Sequence, residues 1–104
     1  MTTAFAPLVC GLTVLRREEP DLSLTAAIAF LTLATLPKGT TVPNLDLMLD
    51  LDPGTMTRTM PQLLARELVM RQRDPQDRRT FKVRVSSRGA ALAAVCAAAL
   101  KGDA

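Results

Sequence analysis

The chain has 104 residues, 48% of them hydrophobic, and its only aromatics are three Phe; this is enough for one aliphatic core, with little chain left for a roomy pocket. It has no His, so imidazole catalysis and His-ligated metal sites are excluded, and its two cysteines show no metal-ligand spacing. The net charge of +3 is unevenly held: residues 58–88 carry nine basic and three acidic side chains, the remainder four basic and seven acidic, which is the footprint of a polyanion-binding face.

A first helix is predicted over residues 5–17, with Pro7 tolerated in its opening turn and Glu18-Glu19-Pro20 closing it. Asp21 or Ser23 can cap a second helix over residues 24–36. Its Ala26, Ala27, Ile28, Ala29, Phe30 and Leu31 are apolar on most faces, as in a core helix. Thr41 then caps a short helix over residues 42–49, with Pro43 in its first turn and Leu45, Met48 and Leu49 as the buried stripe. Asp52-Pro53 reads as the N-cap and first residue of the next helix, which runs to about residue 66. There Met56, Met60, Leu63 and Leu64 face inward, and Thr55, Thr57, Arg58, Gln62 and Arg66 are left for solvent or a ligand. Pro61 lies inside this helix, where it removes one backbone bond and predicts a kink. Two helices joined by Asp50-Leu51-Asp52 form a helix-turn-helix.

Residues 68–86 read as a β-hairpin. Phe81, Val83 and Val85 alternate with Lys82 and Arg84, the period of a half-buried strand. Asp74-Pro75-Gln76-Asp77 is turn chemistry, and the tip carries Arg73, Arg78 and Arg79. A guanidinium-rich tip directly after a helix-turn-helix reads as a wing laid along nucleic acid. The same charges could instead serve solubility or protect a sheet edge. The last helix, residues 88–101, is capped by Ser86 or Ser87 and has an Ala-rich body with no polar face. It reads as a dimer seam, with Leu92, Val95, Cys96 and Ala99 joined by Leu8 and Leu12 of the first helix. The alternative is packing on its own domain with small side chains exposed. The expected architecture is thus a mainly α single domain over residues 1–104, a winged helix-turn-helix: helices in 5–36, helix-turn-helix in 42–66, wing in 68–86 and a C-terminal helix in 88–101.

From Thr41 to Gly89, about half of the chain, the sequence resembles the MarR-type (multiple-antibiotic-resistance regulator) winged-helix repressors. The resemblance is carried by the Leu-Asp pair ahead of the recognition helix, Thr55 and Arg58 within it, and Leu68-Val69. The most specific part is the wing, with Asp74-Pro75, Asp77 and Arg79, followed by Ser87 to Gly89. The resemblance implies a homodimeric, sequence-specific repressor of double-stranded DNA, with recognition helices in successive major grooves and each wing tip in the adjacent minor groove. Thr55, Thr57 and Arg58 would then face the major groove, Arg79 would enter the minor groove, and Asp77 would orient the wing by pairing with an arginine. Arg73, Arg78 and Lys82 complete the candidate DNA contacts. The chain departs from the family pattern at Pro53-Gly54, at Pro61, at Glu67 where a left-handed Gly is usual, and in its short terminal helices. The family also admits a small phenolic effector, which no residue pattern here supports.

Cys10 and Cys96 read as buried structural cysteines, and a reducing cytoplasm is the expected location. No segment reaches the ~20 apolar residues of a membrane span, and no signal peptide is expected, because Arg16 and Arg17 interrupt the apolar run and no cation precedes it. No nucleophile–base pair, paired carboxylates or phosphate-cradling glycine loop points to an enzyme, and no cofactor is expected. The competing function is a winged-helix protein-interaction or architectural module with only non-specific DNA contact.

Overall fold

Pro7 in the first turn of α1 (Ala6–Glu18) and Ser23 ahead of α2 (Leu24–Ala34) start the two helices that open the chain in the computed structural model, which describes residues 5–73, 75–76 and 81–100. The Ser23 hydroxyl accepts the Ala26 N–H at 3.1 Å, so Ser23 rather than Asp21 is the cap. A two-residue strand, β1 (Thr40–Thr41), precedes α3 (Val42–Met48), and the Thr41 hydroxyl caps α3 by accepting the Asn44 N–H at 3.2 Å. Then come α4 (Thr55–Ala65), β2 (Val69–Arg73), β3 (Phe81–Val85) and α5 (Ser87–Leu100). The antiparallel sheet has the order β1-β3-β2, with Arg71 opposite Val83 and Thr40 on the other side of Val83. The fold is a helix-turn-helix followed by a hairpin, the winged helix expected from the sequence; β1 was not.

The core is aliphatic around one ring. Phe30, Leu33, Leu45, Met56, Met60, Leu63, Leu68 and Val83 are fully buried, while Phe5 and Phe81 are exposed. α2 is less enclosed than its composition predicts: Leu24 is 71% exposed and Ile28 also faces outward, while Ala26, Ala27, Ala29, Phe30 and Leu33 are core. The buried stripe of α3 also differs from the expected one. Met48 is exposed, and Leu45 shares the inward face with Asp46. The reason lies in the start of α4.

The expected Asp52-Pro53 cap is not used. α4 opens at Thr55 behind Gly54, which sits at φ 88° with no capping side chain, a conformation that glycine adopts without the steric cost of a Cβ. The missing acceptor comes from the preceding helix: the buried Asp46 carboxylate takes the Gly54 N–H at 3.0 Å and the Met56 N–H at 2.9 Å. A carboxylate at a helix N-terminus meets both the orphan amides and the positive end of the dipole. Asp46→Ala should therefore cost about 3 kcal/mol in urea unfolding, with Asp46→Asn in between, because one buried and one part-buried N–H group lose a charged acceptor.

α4 runs through Pro61 as one helix. Beyond its C-cap Arg66, Glu67 takes φ 58°, while the Leu68 N–H reaches the Leu63 carbonyl at 3.1 Å and the Glu67 N–H the Leu64 carbonyl at 3.0 Å. This is a Schellman closure built on Glu where Gly is usual. α5 is capped by Ser86, whose Oγ accepts the Gly89 N–H at 3.0 Å and donates to the Glu67 carbonyl. No described helix is long and apolar enough to cross a membrane.

Candidate nucleic-acid interface

The outward face of α4 begins where Asp46 fixes the helix. Thr57 and Arg58 are exposed and Thr55 is half-buried. The Arg58 guanidinium leans back toward the Thr55 hydroxyl at 3.4 Å, a long contact that leaves the side chain able to extend. Two other positions expected to be free are engaged in the fold. Gln62 accepts the Ser23 N–H at 3.0 Å, and Arg66 donates to the Gln62 carbonyl at 2.9 Å while pairing with Glu19.

The wing follows α4 after a single turn. Directly opposed residues of an antiparallel pair share one face of the sheet. The register of Arg71 with Val83 and Arg73 with Phe81 therefore puts both arginines on the face that packs toward the helices. Arg71 lines a cleft with Thr57, Pro43 and Phe81, so the exposed face of α4 and a wing cation open onto the same space. The Arg73 guanidinium lies 4.7 Å from the centre of the ring of its cross-strand partner Phe81, a cation–π contact. Lys82 pairs with Gln72 on the opposite face, beside Arg84. Among the described residues, then, Thr57 meets Arg71, which the sequence reading omitted, in one cleft; Thr55 and Arg58 lie on the same helix as Thr57, and Arg73 shares the strand face of Arg71. Lys82 stands apart from them across the sheet. Strand alternation could have found Arg71, because it lies two residues from Arg73. Asp77, Arg78 and Arg79 fall outside the described residues, as does Asp74.

The expected dimer seam divides in two. Leu8, Leu12 and Val95 are exposed and Leu92 is partly buried. Cys96 and Ala99 are instead buried within the chain. That part of α5 packs on α1, where Gly11 lies close to Leu100 and the Cys96 carbonyl, and Cys96 also lines a groove between α2 and α5. The cysteine expectation also needs correcting. Cys10 is exposed on the outer side of α1, and only Cys96 is buried. Burial, reinforced by the Glu18 carboxylate, holds the Cys96 thiol above its usual pKa.

Compared with known proteins, residues 23–81 match the sequence model of the MarR family. No curated protein matches the chain in sequence. Among solved structures the fold is similar to RV1404 from Mycobacterium tuberculosis, at 18% identity and TM-score 0.81, covering 97% of this chain and 69% of that one. It is also similar to MepR from S. aureus, solved as a MepR-DNA complex, at 19% identity and TM-score 0.73, covering 82% and 69%. Lactococcus lactis ZitR aligns at 20% identity and TM-score 0.67, covering 81% of this chain but only 56% of its own, so the chain spans little more than half of that protein's length.

Proposed function

The chain belongs to the MarR family, and from that premise we propose that it is a homodimeric repressor that binds double-stranded DNA. In this reading α4 enters the major groove and the wing reaches the minor groove, with Arg78 and Arg79, which follow β2 in the sequence, as the candidate cations there. The observation that carries the reading is the open cleft that Thr57 of α4 shares with Arg71 of the wing, with Arg58 exposed on the same helix. Hydroxyl and guanidinium groups suit base edges and phosphates, and Arg suits a narrow, negative minor groove. Asp46 pre-sets the helix that presents them, so little ordering is left for the moment of binding. The similar fold of MepR, solved as a MepR-DNA complex, supports DNA as the partner. A regulator of this kind works in the reducing cytoplasm, in keeping with two free cysteines.

The dimer is proposed through the outer side of α1, α2 and α5. Phe5, Leu8, Val9 and Leu12 are exposed on or beside α1, Leu24 and Ile28 on α2, and Val95 and Leu100 on α5; apolar exposure on this scale marks an association surface. An apolar groove between α2 and α5, lined by Leu31, Val85 and Leu100, runs past the exposed Ala94. Ala94→Glu should therefore halve the mass in sedimentation without lowering helix content. An unchanged mass would remove this face from the dimer. The DNA reading is tested by titrating the protein with duplex DNA at rising salt. Each neutralised phosphate contributes a slope of roughly −0.9 in log affinity against log salt, and absent or salt-independent binding would end the proposal.

A further inference from the structure

Glu19 closes α1 and is buried despite its charge, its side chain only 9% exposed. A buried carboxylate is costly unless paired, and here it has two partners. Arg88 approaches Oε1 at 3.1 Å through Nη2 and at 3.2 Å through Nη1, and Arg66 Nε lies 3.6 Å from Oε2. Arg88 Nη1 also donates to the Arg66 carbonyl at 3.0 Å. Arg66 is the C-terminal cap of α4, and Arg88 is the second residue of α5. One acidic group thus joins the ends of α1 and α4 to the start of α5. Both guanidiniums sit at the carbonyl end of α4, where the helix dipole favours cations. Without Glu19 they would face each other uncompensated.

We propose that Glu19 is a positioning residue for the recognition helix: it fixes the C-terminal end of α4 against α1 and α5, and so sets where the DNA-reading face stands relative to the proposed dimer face. The proposal rests on the DNA-binding reading above. The wing shares this control, because β2 starts four residues after the end of α4. The direction of the effect separates positioning from simple charge. Glu19→Gln keeps the size of the side chain and raises the net charge from its present +3, which on electrostatics alone strengthens binding to any DNA. Misplacement of α4 instead weakens binding to the preferred sequence alone.

The test uses the full chain and its Glu19→Gln, Arg66→Gln and doubly substituted forms. Affinity is measured for two duplexes: the one that the unsubstituted protein enriches most from a random pool, and a scrambled duplex of equal composition. Amide hydrogen exchange is followed in parallel. We expect the preference ratio to fall about tenfold in each single variant, the value of roughly one good base contact. It should fall no further in the double variant, since the two substitutions break one interaction. Exchange should quicken in the last turn of α4 and stay unchanged in β2 and β3. A folded Glu19→Gln protein with the original ratio would overturn the proposal. If the unsubstituted protein shows no preference, the DNA reading itself fails, and unchanged exchange in α4 would then overturn the role of Glu19 independently. Should Glu19→Gln not fold, Arg66→Gln carries the same comparison.

Discussion

Gly89→Ala should lower the thermal midpoint by about 12 °C or more, although glycine-to-alanine changes inside helices ordinarily stabilise. In an open helix the exchange gains up to about 1 kcal/mol. Gly89, however, is the third residue of α5 and is buried where that helix crosses the wing. A Cβ there would run into the Leu68 carbonyl oxygen and lie 3.2 Å from the Phe30 ring. The first of these is backbone and cannot rotate away. Relief requires α5 to move off β2, which stretches the 3.0 Å bond from the Ser86 N–H to the Leu68 carbonyl and disturbs the Ser86 cap. Overpacking of this kind costs about 3 kcal/mol, and each kcal/mol is worth roughly 4–8 °C in a domain of this size. A midpoint equal to or above that of the unsubstituted protein would show that α5 does not sit on Leu68 as described.

The second large effect concerns binding. Arg71→Glu should weaken duplex affinity about a hundredfold: roughly tenfold from a lost contact and a similar factor from a carboxylate turned toward phosphates. Stability should move by less than about 0.5 kcal/mol, because the side chain is exposed. Lys82→Glu changes net charge equally, but its side chain lies across the sheet from the cleft shared by Thr57 and Arg71, so its effect should be no more than about tenfold. Measured by fluorescence anisotropy at fixed salt, equal losses from the two substitutions would mean that total charge governs binding.

The contrast between these residues shows how far the sequence could be read. Period-two alternation in β3 and the cation-rich turn were enough to place a wing after two helices, because those signals are local. Thr41 was legible for the same reason, because caps act over three or four residues, whereas the left-handed position of Glu67 came from the family resemblance, where Gly is usual. What could not be read depended on contacts distant along the chain. Nothing local marks Asp46 as the partner of a later helix, and Asp52-Pro53 offered a locally sufficient start for α4. The eight-residue reach from Asp46 to Gly54 makes the other choice visible only in three dimensions. Glu19 is 69 residues from Arg88, and nothing near either one announces the other. The Ala-rich α5 was equally silent about its partners. Its composition suits any close neighbour, and α1 of the same chain occupies the Cys96 side, leaving Val95 outward.

The most direct measurement is selection of duplexes from a random-sequence pool by the full chain at physiological salt, followed by sequencing. A sequence-reading dimer predicts enrichment of a short palindrome, its half-sites about one helical turn apart. Recovery spread evenly over all sequences and collapsing as salt rises would contradict this account: the basic face would then bind charge without reading bases, as an architectural or protein-interaction module would.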